Sequence, residues 1–113
     1  MQFLTDMSKQ IVIDPKEISE RLVERILSER GLSEIQKNIL ITLVYSDPFI
    51  FAHVEKIVPV GDLSIALIFN NGKKRRVAIE YDEVLDLYNV SIDGETIREV
   101  AGEELYPLIR RKI

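Results

Sequence analysis

No cysteine occurs anywhere in the sequence. That excludes a disulfide framework, a thiol nucleophile and a thiolate metal site together, and it fits a reducing cytoplasm, where the protein is expected to reside. A single histidine, His53, rules out paired-histidine metal sites and leaves any hydrolytic triad dependent on one ring. Set beside Phe51 and Val54, it reads as a packed or surface residue. Long apolar runs are missing as well, so no membrane span is expected. The opening MQFLTDMSKQ carries Asp6 and lacks the charged start and apolar core of a signal peptide. Glycine is scarce, and Gly31, Gly61, Gly72, Gly94 and Gly102 each fall where a cap or turn needs one, which leaves none to cradle phosphate. No P-loop, G-x-G-x-x-G or G-x-S-x-G pattern occurs. The expectation is a protein without catalytic machinery, cofactor, metal or small-molecule substrate.

What is present describes a globular chain. Apolar residues make up 46% and charged residues 30% of 113 positions, with a formal net charge of −4. That balance argues against a generally basic, nucleic-acid-coating protein but leaves room for a local basic patch. Ile, Val, Leu, Glu, Lys and Arg are abundant while Gln and Asn are sparse, a bias shared with thermophile proteins. The chain reads as one α+β domain over residues 1–113. A helical layer spans about 14–55, a β meander about 56–100 and a C-terminal helical segment 103–112. The expected architecture is two or three N-terminal helices packed on a small antiparallel sheet, or an SH3-like partial barrel, of four to five strands, closed by a short C-terminal helical turn.

Ile11-Val12-Ile13 reads as a short edge strand or an arm packed on the core. Asp14-Pro15-Lys16-Glu17 then opens a helix: Asp14 caps, Pro15 fits the first position, and Glu17 can reach back to the cap amide. Ile18, Leu22, Val23, Ile26 and Leu27 form its apolar stripe, and Gly31 is the expected left-handed terminator. Ser33-Glu34-Ile35-Gln36 is a second capping box. It starts a helix to about Tyr45 whose Ile35, Ile39, Leu40, Ile41, Leu43 and Val44 wrap so much of the circumference that it must be central. Ser46-Asp47-Pro48 signals a third, short helix over Phe49 to about Glu55.

From Lys56 the pattern turns to β. Ile57-Val58-Pro59-Val60 is an edge strand, because Pro59 has no N–H to give a ladder. Leu63–Phe69 and Arg76–Tyr81 alternate as a hairpin. A three-residue loop, Asn70-Asn71-Gly72, pairs Ile65 with Val77 and Leu63 with Ile79, matching apolar with apolar. It puts Lys74 and Arg76 on the face of Ile68, Ala66 and Ser64, and Lys73 and Arg75 opposite Phe69 and Leu67. Leu85–Ile92 is a further strand, and Asp93-Gly94 a two-residue turn pairing Val90 with Ile97, Asn89 with Arg98 and Leu87 with Val100. Pro107 prevents one continuous helix over the tail, which reads as a turn over Glu103–Tyr106 and a helical turn from Pro107.

Three groups are candidates for function. Lys73, Lys74, Arg75 and Arg76 form a basic hairpin tip, joined in sign by Arg110, Arg111 and Lys112; such a finger suits phosphate, while the bland alternative is a solubilising tip that blocks edge pairing. Phe49, Ile50 and Phe51 lie outside clear strand and helix faces and suit a protein interface or self-association. Glu80, Asp82, Glu83 and Asp86 form the densest acidic group. Oxygen ligands alone can hold Mg²⁺ or Ca²⁺, but the spacing is not that of an EF-hand and reads as a solvated turn.

From Ile57 on, the short strands ending in YNVSIDGETIREVAGEELYPLI resemble the closing part of an SH3-like barrel, whose members bind peptides, proteins or nucleic acids. Leu32 to Tyr81 is similar to a winged-helix layout, with Ser33–Tyr45 and Pro48–Glu55 as helices and Lys73–Arg76 as the wing. The functional expectation is a non-catalytic protein-interaction module, oligomeric or part of a complex. The alternative is a nucleic-acid-binding protein using the basic hairpin.

Overall fold

The computed structural model describes residues 14–113; Ile11-Val12-Ile13 lies outside the described residues. The first helix, α1, spans Pro15–Ser28, with the Asp14 carboxylate accepting from the Lys16 N–H at 3.0 Å. Glu17 does not reach back to the cap: its carboxylate takes the Arg21 guanidinium at 2.9 Å, one turn on. The end of α1 also differs from expectation. No left-handed glycine terminates it; the cap Glu29 is extended, and Lys37 Nζ donates to the Leu27 carbonyl at 3.1 Å. A cation from the next helix thus satisfies a carbonyl that a glycine motif would have satisfied.

Helix α2, Glu34–Ser46, is the central element that its apolar girth predicts. Ile39, Leu40, Leu43 and Val44 are fully buried. The expected third helix is a 3-10 turn over Pro48–His53, and strand begins at once with Val54. Aromatic and β-branched residues gain little from helical geometry and much from a pleated, half-buried surface.

Five antiparallel strands follow in sequence order, β1 (Val54–Val60), β2 (Ser64–Asn70), β3 (Lys74–Asp82), β4 (Leu87–Ile92) and β5 (Glu95–Val100). Pairing of β2 with β3 corrects the expected register by two residues. Asn70 faces Lys74, so the loop is Asn71-Gly72-Lys73, and Ile65 meets Ile79 while Leu67 meets Val77. Gly72 sits mid-loop at φ +83°, a left-handed conformation that glycine adopts without strain. Both loops have three residues, so each side chain keeps its expected face. The register is set by strands beyond the hairpin. One apolar row runs Ile65, Ile79, Val90 and the half-buried Ile97, and the next runs from exposed Ile57 at the sheet edge to the buried Leu67, Val77 and Ile92.

At Asp93-Gly94 both residues are left-handed, as a two-residue turn of type I′ demands, and Val90 pairs with Ile97 as expected. A bulge near Glu99 then moves Val100 from Leu87 to Tyr88. The tail forms a 3-10 turn, Gly102–Glu104, and helix α3, Leu105–Lys112. Pro107 lies inside the first turn of α3, where N–H groups have no intrahelical partner and its lack of one costs nothing. The fold is α+β. No β1–β5 ladder closes the described sheet into a barrel. The winged-helix layout is also not built, since its proposed second helix is a 3-10 turn with Ile50 buried.

Helix α2 is fastened to the sheet by one buried amide. Gln36, 1% exposed, donates through Nε2 to the carbonyls of Gly61 at 2.8 Å and Ser64 at 2.7 Å, and its Oε1 accepts from the Ser33 N–H at 2.8 Å. Ser33 Oγ accepts from the Gln36 N–H at 3.1 Å and donates to the Asp62 carbonyl at 2.6 Å. The capping box therefore holds the β1–β2 turn as well as the helix start. Gln36→Leu leaves two carbonyls and an N–H without partners, and should cost about 2–3 kcal/mol. Urea unfolding checks this; a midpoint unchanged from the parent would remove the lock's assigned role.

Candidate functional site

The sequence-level candidates separate in space. The 3-10 turn Pro48–His53, the β2–β3 hairpin and α3 meet around a cleft of about 460 Å³, lined by Phe49, His53, Asn71, Lys73, Arg75 and Arg110, with Asp47 and Ile113 at its margin and Ile50 and Phe69 in its floor. One half of the hairpin cations and one of the tail cations thus share a cavity. Lys74 and Arg76 project from the opposite face of β3, with Lys74 paired to Glu55 at 3.4 Å, and Arg111 and Lys112 are exposed away from the cleft lining.

Two carboxylates outside the basic run tie together the elements around the cleft. Asp47 caps the 3-10 turn through the Phe49 N–H at 2.9 Å and accepts from the Tyr106 hydroxyl at 2.7 Å, so it ties α3 to that turn and sets Arg110 over the cavity. This bond to Asp47, followed by burial, raises the Tyr106 pKa. Asp93 accepts from the Arg76 N–H at 3.0 Å and from Arg75 Nη1 at 3.0 Å, stapling the β4–β5 turn to the base of the basic finger. Those two bonds, the backbone one foremost, hold the Asp93 carboxyl below its ordinary value. Among the described residues Lys73, Arg76 and Arg110 have no carboxylate within ion-pair distance. The sequence marked His53 only as a packed or surface residue and Asn71 only as a turn residue, and it did not reveal the Asp47–Tyr106 strut. Of that pair only Asp47 carried a signal, as the cap before Pro48, and nothing in the sequence pointed to its second partner.

Of Phe49, Ile50 and Phe51, Ile50 is a correction: at 7% exposure it belongs to this chain's own core and cannot serve as interaction surface. Its place in the 3-10 turn aims it inward while its neighbours point aside. Phe51 is half-buried and lines a second groove, between α1 and β1, of mixed apolar and charged residues. Phe49 is 43% exposed and faces the basic cleft.

The acidic group lies elsewhere, and two of its members, Asp82 and Asp86, are engaged within their own turn, while Glu80 accepts from the Asn89 side-chain amide across the ladder. Asp82 accepts from the Val84 N–H at 2.9 Å and the Leu85 N–H at 3.2 Å, the Asp86 N–H returns to the Asp82 carbonyl at 2.8 Å, and the Tyr81 hydroxyl donates to Asp86. That last bond is the main reason the Tyr81 pKa is pushed up to about 12. The result is a stiff tip with Val84 91% exposed and Leu85 50% exposed. Among the described residues no three His, Asp or Glu side chains are grouped as a metal cage needs, and no helix is long and apolar enough to cross a membrane. Comparison with protein families, curated proteins and solved structures finds no match to this chain.

The Asp93 staple has an acid signature. Its carboxyl is depressed in the folded protein and returns to about 3.9 on unfolding. Its contribution to stability is therefore complete above that value and is lost as pH falls through the lower folded one. Asp93→Asn keeps a good Asn-Gly turn but cannot titrate. Its urea midpoint should fall less than the parent's between about pH 5 and pH 2.5, and parallel losses in the two proteins would discount the staple.

Proposed function

We propose that the protein is a non-catalytic binding module whose basic cleft engages the phosphate backbone of nucleic acid. The observation that carries this reading is the meeting of Lys73 and Arg75 from the hairpin with Arg110 from α3 around one cavity. A solubilising tip needs only dispersed charge. Converging cations with an aromatic between them concentrate positive potential where an anion can sit. An overall charge of −4 does not oppose this, because a local field governs a local contact. The absence of cysteine supports a cytoplasmic setting for such a module.

Backbone binding is salt-dependent, with a slope of about −0.7 per phosphate contact on single strands and about −0.9 on duplex. The pair K73E and R110E should weaken oligonucleotide binding at low salt by about tenfold or more and flatten the slope by one unit or more. Fluorescence anisotropy across a salt series measures both. No salt-sensitive binding by the parent protein ends the proposal.

The acidic, apolar tip supports a second reading, a protein partner or self-association at Val84 and Leu85. A turn fixed by its own hydrogen bonds loses little freedom on binding, so two exposed apolar side chains on it suit a contact. Sedimentation equilibrium at high concentration tests self-association: the parent should associate, and Val84→Asp with Leu85→Asp should sediment as a monomer without loss of fold. A strictly monomeric parent refutes self-association at this tip.

A further inference from the structure

The geometry points to the cleft as a seat for one unpaired base, which would make the module selective for single-stranded nucleic acid. This rests on the backbone-binding reading and adds to it which form of nucleic acid is taken. Three observations converge. The cavity, about 460 Å³, is an open cleft in the size range of small-ligand sites, the class of a single nucleotide. Its wall carries Phe49, 43% exposed, which the fold leaves uncovered even though Ile50 and Phe69 beside it are buried. Its lining also carries Lys73 and Arg75 from the hairpin and Arg110 from α3, so that cations from two elements and a ring from a third share one hollow.

A flat basic patch binds any phosphate chain, duplex included. An exposed aromatic ring among cations on a concave surface does something more selective. Bases of a single strand can splay out and stack on an aromatic face, whereas a duplex must first break pairing and stacking to offer one. Phe49 would take the face of the base and the cations the flanking phosphates. Asn71, whose side-chain amide has both donors and an acceptor, lines the same cavity and can meet a base edge. Asp47 is the one acidic side chain on the lining, and both its oxygens are engaged, with the Phe49 N–H and the Tyr106 hydroxyl. Phosphate is therefore directed to the hairpin side of the cleft, away from Asp47.

The test uses the full chain and fluorescein-labelled DNA and RNA single strands, each compared with its duplex at equal length and salt. Single strands should bind about tenfold more tightly than duplex, and Phe49→Ala should remove about tenfold from single-strand binding while leaving duplex binding unchanged. The chain has no tryptophan, so F49W introduces a lone indole whose emission should be quenched by single strands and untouched by duplex or by heparin. F49W also keeps the question answerable if Phe49→Ala impairs folding. Equal affinity for single strand and duplex with no quenching overturns the base seat while leaving backbone binding standing. Absence of salt-sensitive binding to either form overturns both.

Discussion

The amide of Gln36 is the contact on which the arrangement of layers depends. A helix lying across a sheet can slide or rotate at small cost when only apolar side chains hold it, because dispersion and burial have little direction. Hydrogen bonds to the Gly61 and Ser64 carbonyls have direction, and they are made where water is excluded. They fix the N-terminal end of α2 at the β1–β2 turn. The rest of α2 then lays Ile39, Leu40 and Leu43 on the rows built around Ile65, Leu67, Val77 and Ile79. The opposite end of α2 leads through Asp47 into the cleft. One capping motif thus fixes the height at which the 3-10 turn, the hairpin and α3 converge.

Elements with a local cause were legible in the sequence. Asp14-Pro15, Ser33-x-x-Gln36 and Asp93-Gly94 are each decided by residues within a few positions, and the structure has the caps and the turn where those residues put them. The faces of the hairpin were legible too, since parity survives a shift of two. The pairing itself was not, because the choice between Ile65–Val77 and Ile65–Ile79 is equally apolar in two strands. It is decided by the need to align with Val90 and Ile97 two strands away. The bulge at Glu99 was hidden for a related reason: the amide there is received by the Asn89 side chain, a partner across the ladder.

The cleft was legible only in parts. The two basic runs stand out in the sequence, yet which members meet depends on the hairpin's alternation and on the height of α3. That height is set by a bond between residues 59 positions apart, Tyr106 and Asp47. Alternation also halves the apparent charge. Lys74 and Arg76 leave for the outer face, and Asp93 partly neutralises Arg75. What remains is a modest, concave positive site on an acidic molecule, which suits recognition by shape and contact more than capture by long-range attraction.

Among the described residues β1 and β5 each lack a partner on one side, and that has a consequence for how the sheet meets other chains. A row of unpaired strand amides is a template on which another strand can grow. Here β1 is interrupted by Pro59, with no N–H, and by an irregular pairing between Val54 and Lys56, while β5 is kinked by the left-handed Glu99. Neither border offers a straight run of donors and acceptors. Such irregular borders disfavour the addition of a further strand to an apolar meander, at the expense of a little regularity in two ladders.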